Sequence, residues 1–517
     1  MELTIVPPRG SARRIEARGG QTLLDVLQQT GETVFAPCGG AGTCGRCKVL
    51  VRDAEGVHYC LACQTPAADG LHVLLEDTGD VHVEGADGAT GAPVRQGADF
   101  GLAVDIGTTT MVFFLVDLET RTAVETLGKV NPQVAFGGDV IARIDAADAP
   151  GGLATLCGLL RDSIDEAEKA LCAAAGISRA RIVRRSIVGN TTMEHFATGL
   201  NPHSIGVSPF TPLSLFGSET ALYAPEGGAG GQAAPELRAF LAPAAAGYVG
   251  GDITAGLVAS GMREGDEMQL FIDIGTNGEM ALGNRERAIC CATAAGPAFE
   301  GASITLGMPA MPGAVSAARL TVDGLEVETV DGAPAVGICG SGLLDAVACL
   351  VKAGVVDETG YLLDADEAAE GPCAHLAGRI GEEAGQTAFY LDDERRVYLT
   401  QTDVRKVQLA KAAIRAGIDT MVAEMGVSYA DIGHVALAGG FGMHLNPASA
   451  TAIGLIPPAL DDRIRALGNT AGAGAVRCLF EDGQAAVAEV ARACTYLELS
   501  TSATFNELYV ENMGFEE

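Results

Sequence analysis

Val104-Asp105-Ile106-Gly107-Thr108-Thr109-Thr110 returns later in the chain as Ile272-Asp273-Ile274-Gly275-Thr276-Asn277-Gly278. Each copy closes one apolar, β-rich run (101–104 and 270–272) and opens another (111–116 and 279–282), so each predicts a strand, a tight glycine turn and a second strand. A turn of Gly and Thr offers backbone N–H groups and small hydroxyls to an anion. A single Asp at the end of the first strand can hold a hydrated Mg2+ through its carboxylate. Asp105 and Asp273 are therefore the candidate catalytic carboxylates. Gly107, Thr108 and Thr109 in one turn, and Gly275, Thr276 and Asn277 in the other, are the candidate phosphate contacts. Two such tips facing each other would clamp a nucleoside triphosphate.

The repeat extends beyond the hairpins. Gly176-Ile177-Ser178 precedes the run 184–188 and the turn Gly189-Asn190-Thr191-Thr192; Gly426-Val427-Ser428 precedes the run 434–438 and the turn Gly439-Gly440-Phe441-Gly442. The interval from the leading glycine to the turn is 13 residues in both copies. From hairpin to turn, however, the first half takes 82 residues and the second 164, so the second half carries insertions. An internal duplication accounts for this better than chance. The expected limits are 99–266 for the first half and 267–517 for the second.

With 48% apolar and 19% charged residues in 517, the chain can bury several cores, which excludes wholesale disorder. A formal charge of −32 argues against a nucleic-acid surface and against an anionic membrane, and it reads chiefly as solubility. No basic leader with an apolar core opens the sequence, and no run reaches the roughly 18 apolar residues of a membrane helix. A cytoplasmic protein is expected. Five of the 14 cysteines crowd between positions 38 and 63, and in a reducing compartment such crowding signals a metal rather than disulfides.

Residues 3–6 and 14–17 predict two strands, and Gly20-Gln21-Thr22 opens a short helix whose apolar side is Leu23, Leu24, Val26 and Leu27, ending at Gly31. Cys38, Cys44 and Cys47 follow in a Gly-rich loop with Cys-x5-Cys-x2-Cys spacing, and Cys60 and Cys63 come after the run 48–51. Such a loop lets thiolates and backbone N–H groups converge on one inorganic centre. Zinc is the competing metal, but structural zinc sites usually pair two short knuckles. This spacing is similar to that of plant- and adrenodoxin-type 2Fe-2S ferredoxins, which implies a β-grasp domain over 1–84. The Leu-Ala-Cys-Gln setting of Cys63 resembles the place of their last ligand, which selects Cys63 over Cys60 and leaves Cys60 a nearby thiol. Runs 71–75 and 81–83 predict further strands, and a Gly/Ala-rich connector covers 85–98.

Downstream, helices are expected over 153–160 and 163–175, and His195 reads as a satisfied helical histidine. In the second half the turns 295–301 and 337–342 follow short apolar runs. The latter, with Gly340 and Ser341, opens a helix expected over 343–353, a phosphate-accepting geometry. Thr400-Gln401-Thr402-Asp403 caps a long amphipathic helix that stops at Gly426. Gly439, Gly440 and Gly442 would approach adenosine with bare backbone.

The two Asp-Ile-Gly-Thr hairpins and the late Gly-Gly-Phe-Gly turn resemble the acetate/sugar kinase, heat-shock protein 70 and actin superfamily, whose fold is a duplicated RNase H-like core. With the ferredoxin-type segment in front, and with 190–193, 273–279, 294–301, 337–342, Leu409-Ala410-Lys411 and Gly454-Leu455-Ile456-Pro457, the whole chain resembles the reductive activators of corrinoid-dependent enzymes. The resemblance implies a multidomain α+β and α/β protein that uses ATP, Mg2+ and one 2Fe-2S cluster. Its expected reaction returns a corrinoid protein's cobalt from Co(II) to Co(I) with one electron from a low-potential donor, in methyltransferase or O-demethylase systems of anaerobes. A homodimer is one form it admits. Two other readings stay open, a kinase of the same superfamily and an ATP-coupled donor to a non-corrinoid enzyme. A kinase has no need of the ferredoxin segment.

Overall fold

The computed structural model describes all residues except 8–10, 31, 33, 35, 37, 41, 43, 44, 54, 55, 76–91, 96, 225–235, 302, 323, 516 and 517. Cys44, the run 81–83 and residues 85–91 and 96 of the expected connector thus lie outside the described residues. The chain forms two compact units, Met1–Ala255 with Ala471–Ala491, and Gly256–Thr470 with Arg492–Glu517.

In the first unit the N-terminal region is a mixed sheet of five strands among the described residues. Their order is Arg13–Glu16, Glu2–Val6, His72–Leu74, Lys48–Asp53, Gly56–Leu61. The first and last strands in sequence, Glu2–Val6 and His72–Leu74, run parallel at its centre. Alternation puts Leu3 and Ile5 on the inner face. Helix Leu23–Gln29 buries Leu23, Leu24, Val26 and Leu27 there, the four positions its periodicity selects. Each such leucine, removed from water, contributes about 2 kcal/mol. A capping box between Thr22 and Asp25 sets the helix start. This is the β-grasp arrangement.

The rest of the first unit is built on a six-stranded sheet ordered Glu219–Ala221, Arg238–Leu241, Ile182–Gly189, Phe100–Ile106, Thr110–Asp117, Thr122–Val130. The second unit contains a sheet ordered Ile464–Gly468, Ile432–Ala438, Met268–Ile274, Gly278–Gly283, Ala288–Thr293, Cys494–Tyr496. In both, the Asp-bearing strand is central. It pairs antiparallel with its hairpin partner and parallel with the strand that follows a long helix. Five strands share order and direction and each sheet adds a sixth at the opposite edge; five shared strands, in addition to shared motifs, are what a duplication requires.

The long helices end alike. Helix Gly152–Ala175 stops at Gly176 (φ 65°) and helix Gln401–Met425 at Gly426 (φ 63°), left-handed positions that glycine occupies without strain. The N–H of Ile177 then donates to Cys172 O (2.9 Å) and that of Val427 to Val422 O (3.2 Å), closing the orphaned carbonyls of each last turn. One expectation needs correction here. The helices expected over 153–160 and 163–175 are a single helix, because the polar pair Arg161-Asp162 does not interrupt it. Arg161 lies along the protein with its guanidinium donating to Tyr223 O at 3.2 Å, so a charged residue sits on the packed side.

The insertions of the second half are two small sheets. One comprises Ala314–Thr321, Gly324–Thr329 and Gly337–Ile338, the other Ile380–Glu383, Gln386–Tyr390 and Tyr398–Thr400. The helix expected over 343–353 begins earlier, at Gly340, and runs to Lys352. The segment read as an open turn at 439–442 winds instead into the helical turn Gly439–His444.

Candidate functional site

The first hairpin turns sharply: the Gly107 N–H donates to Thr110 O (3.0 Å), so a side chain on Gly107 would strike that carbonyl. Asp105 lies opposite Val112 on one side and Val188 on the other, one strand residue short of the turn. Two asparagines brace the loop. Asn131 donates from Nδ2 to Gly107 O (2.9 Å) and from its backbone to Thr109 O (2.8 Å). Asn190, whose Oδ1 caps helix Thr191–Thr198, donates from Nδ2 to Thr108 Oγ1 (3.1 Å). Arg143, wholly buried, donates to Thr108 O and, at 2.9 Å, to Gly137 O. Below this loop, Gly250 and Gly251 pack against Asn190 and Glu194 with no room for a side chain. Among the described residues neither carboxyl oxygen of Glu194 has a hydrogen-bonding partner. Complete burial, and then the nearby Asp252, push its pKa far above the carboxylate range.

The second hairpin is built the same way with different braces. The Gly275 N–H donates to Asn277 O (2.9 Å), and Thr276 Oγ1 donates to Glu300 Oε1 (2.7 Å). Asp273 keeps a little solvent exposure at its mouth, yet protein surrounds its carboxyl. Desolvation, with Glu300 as a secondary negative neighbour, pushes it up to about 6. Gly439 (φ 79°) passes so close to Asp273 Oδ1 that a β-carbon there would displace the carboxylate, whereas Gly440 faces open space. Phe441 stacks on Phe299, ring centroids 5.1 Å apart at 20°.

The structure therefore brings Asp273, Gly275, Thr276, Gly439 and the Phe299-Glu300 turn together in one unit, and Asp105, Gly107, Thr108 and Thr109 in the other. Gly340 and Ser341 have another visible role. Gly340 and Gly342 abut the backbone of Phe299 and Val315, and the Ser341 hydroxyl donates to Ser316 O (2.8 Å). Close packing thus demands these glycines whether or not a phosphate does. His195 is saturated: its Nδ1 donates to Thr191 O (2.7 Å), and its Nε2 accepts from the Leu213 N–H (3.1 Å). It is structural. The brace residues Asn131, Arg143, Asn190 and Glu300 escaped selection. Asn190 and Asn131 sit in visible turn signatures and Glu300 in the Gly-rich turn 295–301, but nothing local marks Arg143.

In the N-terminal region, the Cys63 N–H donates to Cys47 Sγ (3.4 Å), and Gly40 packs against Cys63 Cβ and Leu24. Cys38 follows Ala36 in a turn closed by the Gly39 N–H on Ala36 O (2.8 Å). Among the described residues no three His, Cys, Asp or Glu side chains converge on a metal, and Cys44 lies outside them. The donor chemistry nevertheless fits an iron–sulfur group. Gly39, Gly40, Gly42 and Gly45 all have positive φ, and the Cys63 N–H already points at a thiol. Cys60 sits on strand Gly56–Leu61, paired with Val49.

Three family models match the chain: a 2Fe-2S iron-sulfur cluster binding domain over 6–68, the RACo middle region over 100–265, and the C-terminal domain of RACo, the ASKHA domain, over 267–517. The corrinoid activation enzyme RamQ of Eubacterium limosum is 33% identical over 430 residues, covering 80% of this chain and 70% of that protein. The [Co(II) methylated amine-specific corrinoid protein] reductase of Methanosarcina barkeri is 26% identical over 446 residues, covering 80% of this chain and 77% of its own length. Among solved structures, a reductive activator for corrinoid, iron-sulfur protein superposes with a TM-score of 0.70 at 31% identity, covering 99% of this chain and 98% of its own.

Proposed function

The chain belongs to the family of reductive activators of corrinoid proteins, and on that premise we propose that it reduces the cobalt of a corrinoid partner from Co(II) to Co(I) by one electron, driven by ATP. The observation that best supports the reading is the presence, in one chain, of a thiol-rich β-grasp domain and two Asp-Ile-Gly-Thr hairpins on sheets that share the order of five strands. We assign 1–84 to the ferredoxin domain, 85–98 to the connector, and 99–266 and 267–517 to the two halves of the ATPase.

Cys38, Cys44, Cys47 and Cys63 would hold the 2Fe-2S cluster, which supplies one-electron transfer when bound. Asp105 and Asp273 would take the hydrated Mg2+ of MgATP, and the two glycine turns its phosphates. The two threonines differ in what they can offer. Thr108 Oγ1 accepts from Asn190, so its own proton is directed to a phosphate oxygen, while Thr276 has committed its proton to Glu300 and contributes its backbone. Gly439 and Gly440, beside Asp273, present bare backbone to the nucleoside. Plant-type 2Fe-2S centres lie near roughly −400 mV. Every ~59 mV by which the cobalt couple lies lower costs about 1.4 kcal/mol. A gap of one or two such steps is within what differential binding of two conformations supplies.

The electron enters from an upstream low-potential donor, the protein works in the cytoplasm, and a homodimer is one assembly the reading admits. No helix among the described residues is long and apolar enough to cross a membrane.

The test is anaerobic. Holoprotein, a low-potential reductant and a Co(II) corrinoid protein from the same organism are mixed, and the visible spectrum is followed with and without MgATP. Co(I) appears only with ATP, and Asp105→Ala and Asp273→Ala each abolish it while the cluster spectrum stays intact. Co(I) formation that ignores ATP, or full activity in both variants, overturns the reading.

A further inference from the structure

Among the described residues, the ferredoxin region touches the first ATPase half next to the brace of the phosphate hairpin. Gln28, the penultimate residue of helix Leu23–Gln29, donates from Nε2 to Ala135 O. Gly39, in the cysteine loop, comes so near Phe136 that a β-carbon on it would lie 3.3 Å from Phe136 O. Ala135 and Phe136 end the short 3-10 turn Pro132–Ala135, and that turn is fixed from the other side by the groups that hold the hairpin. Asn131 begins it and donates to Gly107 O. Gln133 donates to Leu156 O (3.0 Å) and accepts from Arg143 Nη1 (3.3 Å). Arg143 in turn donates to Gly137 O, one residue past Phe136, and to Thr108 O in the phosphate loop. Every member of this chain of contacts lies in one compact unit.

A guanidinium is planar, with its five donors in a fixed fork. Its Nη2 cannot follow a displaced Thr108 carbonyl while Nε and Nη1 keep Gly137 and Gln133 in place. A shift of the loop by a fraction of a bond length must therefore rotate Arg143 and tilt the turn on which Gln28 and Gly39 sit. We propose that Arg143 is a positioning residue that couples occupancy of the first phosphate hairpin to the seating of the cysteine loop on Ala135–Phe136. Phosphate bound at Gly107–Thr109 thereby changes the environment of the cluster rather than only the affinity for the partner. The proposal rests on the reading of that hairpin as a nucleotide site. Because equilibrium coupling is reciprocal, disturbing the seat must also change nucleotide affinity.

The experiment uses full-length holoprotein and a non-hydrolysable MgATP analogue. The cluster's midpoint potential is titrated with and without the analogue. In parallel, hydrogen exchange is followed at Gly39, Val134 and Phe136, and analogue binding by calorimetry. In the wild type, the analogue shifts the potential and alters exchange at these amides. Gln28→Ala, a half-buried position whose loss does not threaten the fold, and Arg143→Lys, which keeps the charge but not the fork, both bind the analogue with altered affinity and lose the shift. The proposal is overturned if the wild type binds the analogue with no change in potential or exchange. It is equally overturned if Gln28→Ala, the variant that survives any folding defect of Arg143→Lys, shifts like the wild type. Failure of the wild type to bind the analogue at all instead removes the nucleotide reading and the coupling with it.

Discussion

Two carboxylates occupy matching positions in the duplicated hairpins, but their surroundings differ. Desolvation, with Glu300 as a lesser negative neighbour, pushes Asp273 up to about 6, so near neutrality it stands close to its titration range. A metal binds the ionised form only. Affinity for MgATP should therefore be full above pH 7 and fall as pH drops through about 6, approaching ~tenfold per unit once the group is mostly protonated. Titration of nucleotide binding between pH 5 and 7.5 measures this, and a flat profile would remove Asp273 from the metal's ligands. The cysteine choice is equally open to test. Cys63→Ser should abolish the charge-transfer absorbance of the cluster, whereas Cys60→Ser should keep it; the reverse result would exchange the two ligands.

The elements were legible to different depths. Where a local rule dictates structure, sequence and structure agree. The Thr22/Asp25 and Thr400/Asp403 capping boxes start helices where they stand, and Gly176 and Gly426 end them. The apolar, β-rich runs around Asp105 and Asp273, broken by glycine turns, set both hairpins. Where the cause is tertiary, the chain alone misled. Arg161-Asp162 looks like a break, and only Tyr223, 62 residues away, shows that the arginine belongs to a continuous helix. Glu300 and Arg143 brace the two hairpin loops from 24 and 35 residues away, and no spacing announces either pairing. Gly439 and Gly440 look alike in sequence, but only one is constrained. Gly439→Ala forces a left-handed φ of 79° on a β-carbon and drives it into Asp273, which should cost about 1–3 kcal/mol and weaken nucleotide binding. Gly440→Ala, facing open space, should leave stability nearly unchanged. Urea midpoints and nucleotide titrations on the two variants make the comparison.

At the scale of the molecule, three hydrophobic clusters are distinct among the described residues: one around Leu3, Leu27 and Val73, one around Phe100, Phe113 and Phe196, and one around Leu270, Phe389 and Ile414. Separate cores in a chain of this length predict departure from two-state unfolding. Calorimetry should resolve more than one transition, and a single transition with equal calorimetric and van't Hoff enthalpies would contradict it. A MgATP analogue at a hundredfold excess over its Kd should stabilise the transition of the hairpin-bearing cores by about 2.7 kcal/mol. The transition of the ferredoxin core should respond to removal of iron.

The stacked rings of Phe299 and Phe441 also give the molecule an optical handle. The chain contains no tryptophan, so its own ultraviolet emission comes from nine tyrosines. Phe441→Trp would place one indole in 517 residues, lying flat on Phe299 and beside the open face of Gly440. Excited at the red edge where tyrosine does not absorb, its fluorescence would stand alone, shift in colour as an adenine ring or water came to its exposed edge, and give a stopped-flow trace of each arrival and departure.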